Sequence, residues 1–259
     1  MTTEAAMALA AARREHRRLP SLPGRPTDVR EAYRVQEEAQ TLLFEANGSV
    51  LAGYKIGCTT AVMQAFLNIP SPCSGMMASR DILAGPARLL HADFLHVGVE
   101  CEIAVRLGKP LRVEDAPFTR HTVAPAISAC MAAIEIVDDR WEDYGNIDTP
   151  SLIADNFFHA GCVLGPAIED WQHLDLAAVL GVTMIDGVEV GSGLGADVMG
   201  HPSEALAWLA NSLAARGTTL PAGAIVLTGS VVATRWVEPG AKVEVELSGL
   251  GRVEVTFEA

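Results

Sequence analysis

Residues 97–108 constrain the fold of this chain most strongly. Their side chains alternate in character, as in an extended strand whose successive residues point to opposite faces. One face is apolar and carries Val97, Val99, Cys101, Ile103, Val105 and Leu107. The other face carries Gly98, Glu100, Glu102, Ala104 and Arg106. The pattern predicts a half-buried strand that directs two carboxylates, Glu100 and Glu102, to one point.

Strand-like alternation recurs further along the chain and predicts two hairpins. Residues 182–190 flank Asp186-Gly187, a favoured two-residue turn. Residues 242–247 and 252–257 alternate around a glycine-containing turn, with valines on the inner face and glutamates on the outer face.

Helical segments complete the organisation. We predict helices over residues 4–18 and 29–46, the second capped by Asp28 and ended by Asn47-Gly48. Two further helices, 122–133 and 203–216, interrupt the strands, the last capped by Ser203. The sequence therefore predicts an α+β protein: a helical part over 1–50 and a β body over 51–259, together one compact domain.

Charge and cysteine content exclude several classes of function. The 259 residues carry a net charge of −13, which disfavours binding to nucleic acid. The uncharged stretch 217–234 is broken by Pro221, Gly223 and Gly229, so we predict no membrane span. Five dispersed cysteines without a C-x-x-C pair indicate free thiols in a reducing compartment, and we expect a cytoplasmic protein.

Glu135 is the second conspicuous acidic feature, because it lies in an apolar run over residues 132–137. An unpaired buried carboxylate is costly, so it requires a cation or a proton. Together with Glu100 and Glu102 it offers three hard oxygen ligands, which suit Mg²⁺ or Mn²⁺. The alternative is an exposed strand face for the first pair and a helix-edge position for Glu135.

Two basic residues are candidates for contact with a substrate. Lys55 lies between Gly53 and Gly57, where it can hold an anion or transfer a proton, or simply lie at the surface. Arg140 follows two aspartates and can bind a carboxylate through two hydrogen bonds, or form a solvated salt bridge.

Seven short segments occur in a distinctive order along nearly the whole chain. They are AYRVQ (32–36), GYKIG (53–57), VECEIA (99–104), IEIVDDR (134–140), ADN (154–156), AWLAN (207–211) and LTGS (227–230). In order and spacing they resemble the fumarylacetoacetate-hydrolase superfamily. Within it they are most similar to the branch of 2-keto-4-pentenoate hydratases and 4-oxalocrotonate decarboxylases.

The resemblance implies a mixed β-roll, with Glu100, Glu102 and Glu135 as metal ligands. It also implies that Lys55 is an active-site lysine and that Thr228-Gly229-Ser230 lines the pocket. The implied activity is metal-dependent hydration of a 2-hydroxy-2,4-dienoate formed in aromatic meta-cleavage, with Mg²⁺ or Mn²⁺ as cofactor. Decarboxylation of a 4-oxalocrotonate-type acid is the alternative. We expect a homo-oligomer.

The chain departs from its relatives after Asp155-Asn156. Phe157, Phe158 and His159 stand where typical hydratases have small or hydroxyl residues. Residues 151–161 also lack the lysine and the Phe-x-Pro-x-Gly-Pro stretch of the hydrolase branch, which disfavours acylpyruvate hydrolysis. The intact glutamates and lysine disfavour a catalytically silent homologue. We predict that His159 faces the metal site and contributes to substrate selection or proton transfer.

Overall fold

The structure, a computed structural model, describes residues 2–66, 69 and 71–259. Two helices open the chain, α1 (Glu4–Arg14) and α2 (Val29–Asn47). The Asp28 side chain accepts a hydrogen bond from the Glu31 N–H at 2.8 Å and caps α2, as predicted. Helix α1 ends before the predicted residue 18, because His16 adopts a left-handed conformation with φ of 49°.

The part of the chain that the structure describes contains twelve strands. They are β1 (Leu51–Gly57), β2 (Cys73–Ala78), β3 (Ile82–Ala84), β4 (Ala87–Leu90), β5 (Val97–Leu107), β6 (Ile127–Asp138), β7 (His159–Leu164), β8 (Leu180–Ile185), β9 (Val188–Leu194), β10 (Ile225–Trp236), β11 (Lys242–Leu247) and β12 (Gly251–Glu258). A seven-stranded sheet has the order β2-β1-β10-β5-β6-β7-β3, and a five-stranded sheet the order β4-β12-β11-β8-β9. Both sheets are mixed, since β1–β10, β3–β7 and β4–β12 pair in parallel. The predicted α+β class is confirmed.

Among the described residues, four more α-helices lie between the strands. They are α3 (Ala61–Phe66), α4 (Arg120–Val123), α5 (Thr149–Ala154) and α6 (Pro202–Ala215). The apolar face of β5 packs with α6, β11 and β12 in the main core. Its opposite face is covered as well, and Glu102 is 0% exposed. The strand prediction is therefore correct, but β5 is buried on both faces rather than on one.

The predicted helix over residues 122–133 is wrong. A short helix, α4, ends at Val123, and β6 begins at Ile127. This strand pairs with β5 on one side and with β7 on the other. The small apolar residues of the segment fill a sheet interior, where tertiary pairing outweighs helix propensity.

The remaining element predictions hold with small shifts. Asp186 and Gly187 form the turn between β8 and β9 with positive φ angles of 52° and 78°. Strands β11 and β12 form the second hairpin. Helix α6 is capped by His201 instead of Ser203, because the His201 Nδ1 accepts from the Ser203 N–H at 3.0 Å.

All five cysteines are buried and free, as expected. Burial raises the pKa of Cys58, Cys73, Cys101 and Cys130 to about 12, so these thiols stay protonated at neutral pH. Within the described residues, no helix combines the length and the apolar character that a bilayer crossing requires.

Candidate active site and metal centre

Strand pairing brings the three candidate carboxylates together. Glu100 on β5 lies directly opposite Glu135 on β6, and Glu102 follows two residues later on the same face. One carboxylate oxygen from each residue lies within 4.8 Å of the other two. This group is called the carboxylate triad below.

The triad has more acceptor oxygens than the protein around it satisfies. Glu102 Oε2 accepts a hydrogen bond from the Gly229 N–H at 2.7 Å. The buried atoms Glu102 Oε1 and Glu135 Oε2 receive no hydrogen bond from any residue that the structure describes. Buried acceptors of this kind are normally satisfied, so the free oxygens match the hard ligands that a divalent cation requires.

The electrostatics of the triad are consistent with a site for a cation. Burial, together with the negative charges of Glu135 and Glu100, raises the pKa of Glu102 well above its usual value. Burial and Glu135 likewise raise the pKa of Glu100. Burial opposes ionisation of Glu135 as well, but Lys55 and His159 more than offset it and lower the pKa of Glu135 to about 2. A bound cation would stabilise all three carboxylates in their charged form.

Lys55 lies inside the fold, on β1, and is 3% exposed. Its Nζ forms an ion pair with Glu135 Oε1 at 3.2 Å. Burial alone would lower the pKa of Lys55, but the triad reverses this effect and raises it. Gly75 lies opposite on β2, where an added Cβ would come within 3.1 Å of the Lys55 Cγ. The alternative of a surface lysine is excluded.

His159 begins β7 beside the triad, and its ring is almost fully buried. Its Nδ1 lies 2.8 Å from Glu135 Oε1. Because a carboxylate only accepts, Nδ1 carries the hydrogen of this bond. The His159 Nε2 has no hydrogen-bond partner among the described residues. The predicted orientation of His159 toward the site is therefore present in the structure.

The segment before His159 is not extended. Asn156, Phe157 and Phe158 all adopt left-handed conformations, with φ of 60°, 50° and 64°. The Asn156 side chain holds this turn against β2, since its Oδ1 accepts from the Met76 N–H at 2.7 Å and its Nδ2 donates to the Met76 carbonyl at 2.8 Å. Successive left-handed residues without glycine are strained, and such strain is concentrated at functional sites.

In the structure Arg140 pairs with Asp155 and not with a carboxylate of the triad. Its guanidinium is buried and donates to both carboxylate oxygens of Asp155, at 3.2 Å each. It also donates to the backbone carbonyls of Phe158 and His159, at 3.2 and 3.4 Å. In this arrangement Arg140 supports the turn that carries His159, and its contact with a substrate stays a prediction.

The Thr228-Gly229-Ser230 segment reaches the triad through its backbone. Gly229 adopts φ of 120° and donates to Glu102, as described above. The hydroxyls of Thr228 and Ser230 donate to the β5 carbonyls of Ile103 and Cys101, at 2.8 and 3.3 Å. Substrate contacts of these two side chains stay predictions.

Sequence reasoning did not identify three residues near the triad. The Thr234 hydroxyl donates to Glu100 Oε1. Tyr144 and Trp236 are exposed aromatic residues whose rings contact each other. Tyr144 lies within range of the Glu100 charge, and Trp236 lies across Gly98, two residues before Glu100. Thr234 and Trp236 share one face of β10, and their position near the triad depends on the pairing of that strand with β5.

The sequence model for the fumarylacetoacetate (FAA) hydrolase C-terminal region matches residues 59–258. The chain belongs to the fumarylacetoacetate hydrolase family. It is 35% identical to a 2-hydroxyhexa-2,4-dienoate hydratase of Comamonas testosteroni over 88% of this chain and 86% of the relative. It is 32% identical to a 4-oxalocrotonate decarboxylase of Pseudomonas putida over 88% and 84% of the two chains.

A solved structure of this family shares the fold over nearly the full length. The 4-oxalocrotonate decarboxylase from Pseudomonas putida G7, complexed with magnesium and adipate, superposes with a TM-score of 0.86. The match covers 99% of this chain and 98% of the other at 28% identity. The family and the β-roll fold implied by the sequence segments are confirmed.

Proposed function

We propose that this protein is a divalent-metal-dependent lyase that adds water to a 2-hydroxy-2,4-dienoate in the breakdown of aromatic compounds. The carboxylate triad carries the proposal, because it holds buried oxygens without donors beside a buried lysine. The identity to a dienoate hydratase over most of both chains supports the substrate class. We further propose that the protein acts in the cytoplasm as a homo-oligomer.

Glu100, Glu102 and Glu135 would hold the metal, with Mg²⁺ or Mn²⁺ as the proposed ion. A metal bound there would supply Lewis-acid chemistry that stabilises negative charge as it develops on the substrate. Hydration then requires two proton movements. The 2-hydroxyl proton is lost while C5 gains one, and water next adds its oxygen to C4 and a proton to C3.

The protein's own residues serve these proton movements. Lys55 is a buried ammonium held charged by the triad, so it can donate a hydrogen bond or a proton to an oxygen that becomes negative. His159 holds the Glu135 carboxylate through Nδ1 and so fixes the orientation of one metal ligand. The turn over residues 156–158 places Phe157 against the Lys55 ammonium, 5.5 Å from the ring centre, which shields this side from water.

Decarboxylation is the second candidate, supported by the similarity to 4-oxalocrotonate decarboxylases in sequence and in structure. In that reaction the carbon–carbon bond to the far carboxylate would break and carbon dioxide would leave, while the electron pair would pass to the 2-oxygen, which would gain a proton. The triad would hold the metal in both reactions, so the reaction would depend on which acid binds.

Incubation of the purified protein and Mg²⁺ with 2-hydroxypenta-2,4-dienoate and, separately, with 4-oxalocrotonate tests the proposal. We expect loss of the dienol's ultraviolet absorbance with the first acid and no release of carbon dioxide from the second. Carbon dioxide release without hydration would assign the decarboxylase reaction.

Glu102→Gln should abolish both Mg²⁺ uptake and turnover, because it removes a charged ligand from the triad. The matched control is Glu246→Gln, which changes an exposed glutamate on β11 and should alter neither property. A Glu102→Gln protein that binds Mg²⁺ as tightly as the wild type would remove the proposed metal site.

A further inference from the structure

Four aromatic side chains form a continuous series beside the triad. The Phe157 and Phe158 rings meet edge to face at 6.3 Å, and Phe158 stacks on Tyr144 at 5.5 Å. Tyr144 in turn meets Trp236 edge to face at 6.3 Å. Phe157, Phe158, Tyr144 and Trp236 are called the aromatic arc below.

The two ends of the aromatic arc lie at the two sides of the triad. Phe157, at one end, lies under the Lys55 ammonium. Trp236, at the other end, lies across Gly98, where an added Cβ would come within 2.9 Å of the indole. Gly98 shares its face of β5 with Glu100, so the indole lies on the carboxylate side of the sheet. The arc therefore connects the lysine side of the site with its Glu100 side.

Exposure rises along the arc. Phe157 and Phe158 are each 8% exposed, whereas Trp236 is 41% and Tyr144 is 47% exposed. Exposed aromatic surface that continues into the wall of a polar site indicates a place where apolar ligand groups bind. The inner rings would contact atoms near the metal, and the outer rings would contact the far end of a longer substrate.

Two carboxylates, those of Glu100 and Asp139, lie near the outer arc. Trp236 stacks on the His96 ring at 4.0 Å, and the His96 Nδ1 faces the buried carboxylate of Asp139 at 3.5 Å. Burial, followed by the charges of Glu100 and Asp139, raises the pKa of Tyr144. The neighbouring cation Arg140 is already paired with Asp155. A carboxylate at the far end of a substrate would lose hydration against these apolar rings and would gain no ion pair from Arg140.

We propose that the aromatic arc is the subsite for the substrate's far end, and that it selects acids with an apolar alkyl or aryl end against acids ending in a second carboxylate. This inference rests on the proposed function in one respect, since it assumes that the 2-oxo acid end binds at the triad. It adds the residues that would select the far end of the substrate, namely the four aromatic side chains of the arc.

Binding of stable analogues tests the arc without requiring turnover. Calorimetry of the Mg²⁺-loaded protein would compare pyruvate, 2-oxohexanoate and 2-oxoadipate, the last two having equal chain length. We expect 2-oxohexanoate to bind about tenfold more tightly than either of the others, because each buried methylene contributes to affinity and the second carboxylate does not pair. Equal or tighter binding of 2-oxoadipate overturns the proposal, and so does failure of all three acids to bind.

The two proposals fail separately. If the protein prefers 2-oxohexanoate but does not hydrate dienoates, the subsite proposal is supported and the proposed reaction is contradicted. If the protein hydrates dienoates but binds the two six-carbon acids equally, only the subsite proposal is contradicted.

Variants of the arc residues test which side chains distinguish 2-oxohexanoate from the other two acids. Trp236→Ala should lower the affinity ratio of 2-oxohexanoate to pyruvate by about fivefold, and Trp236→Phe should preserve most of the ratio. Tyr144→Arg, at an exposed position, should reverse the preference in favour of 2-oxoadipate. Val188→Ala is the control, because Val188 is an exposed apolar residue in the other sheet and should leave every ratio unchanged. Should Trp236→Ala not fold, an unaltered preference in Tyr144→Arg still overturns the proposal.

Discussion

Lys55 places a positive charge inside the fold, with its ammonium paired to Glu135. Methionine keeps the length and the apolar stem of this side chain but removes its charge and its protons. We expect Lys55→Met to retain Mg²⁺ uptake and to lose about 10²–10⁴-fold in kcat, the usual contribution of a positioned proton donor. Calorimetric Mg²⁺ titration and the loss of dienol absorbance measure the two properties.

Lys242→Met provides the matched control. Lys242 lies on β11 and pairs with Glu254 at 2.9 Å on the protein surface, so its replacement should alter neither property. An unchanged kcat in Lys55→Met would leave the buried lysine with a role in charge balance alone.

His159 contacts Glu135, a proposed metal ligand, so its replacement should affect kcat through the position of that ligand. We expect His159→Ala to lower kcat about tenfold or more on dienoates of every chain length, because the ring holds Glu135 in place. His159→Asn keeps a donor near the position of Nδ1 and should recover part of the loss. If His159 instead contacted the far end of the substrate, the variant would rank dienoates of different chain length in another order of kcat. If kcat did not change for any dienoate, His159 would have a structural role only.

The sequence predicts those parts of the candidate site that depend on residues close together in the chain. Strand alternation places Glu100 and Glu102 together, and the apolar surroundings of Glu135 require a partner for its charge. Thr234 could not be found in this way, because its hydrogen bond to Glu100 joins residues 134 positions apart and depends on the pairing of β5 with β10. Long-range pairings of this kind also create the aromatic arc.

At the scale of elements, β6 shows where local rules fail. Its segment 129–133 contains Ala129, Met131, Ala132 and Ala133, which favour helices when considered alone. In the structure both of its edges are paired and both of its faces are covered, so the backbone donors and acceptors are satisfied by neighbouring strands. The hairpins at β8–β9 and β11–β12 could be predicted because their turns are local.

The contact between β10 and the loop before α3 depends on Gly229. A Cβ at this position would come within 2.5 Å of Thr59 Oγ1, and φ of 120° is strained for any other residue. We expect Gly229→Ala to destabilise the fold by about 1–3 kcal/mol and to weaken Mg²⁺ binding, because displacement of the Gly229 N–H releases Glu102. Thermal unfolding with and without Mg²⁺ measures both effects.

Gly240→Ala separates the two causes. Gly240 also has a positive φ, 88°, but an added Cβ there meets no heavy atom within 4 Å. Its replacement should therefore show the backbone cost without any loss of Mg²⁺ binding. Equal Mg²⁺ affinity in both variants would contradict the proposed support of Glu102.

At the scale of the whole molecule, one buried carboxylate connects α1 to the turn that carries His159. Asp155 is 2% exposed and pairs with Arg13 of α1 at 3.1 Å and with Arg140 at 3.2 Å. The Trp141 indole N–H donates to the same carboxylate at 3.0 Å. Asp155 directly precedes the left-handed turn, so the packing of α1 and the placement of His159 share this residue.

Arg13→Met tests whether the molecule unfolds as one unit. Burial, followed by the charge of Arg140, lowers the pKa of Arg13 to about 10, so the guanidinium stays charged at neutral pH. Its loss leaves Asp155 paired with Arg140, so we expect a destabilisation of about 1.5–3 kcal/mol, the range for hydrogen bonds to charged groups. Arg14→Met, at the exposed neighbouring position, should lower the free energy of unfolding by less than about 0.5 kcal/mol.

Urea unfolding followed by circular dichroism should give a single transition for both variants, because α1 shares its buried contacts with α2 and α5. A separate early transition in Arg13→Met would show instead that the N-terminal helices unfold independently of the β body.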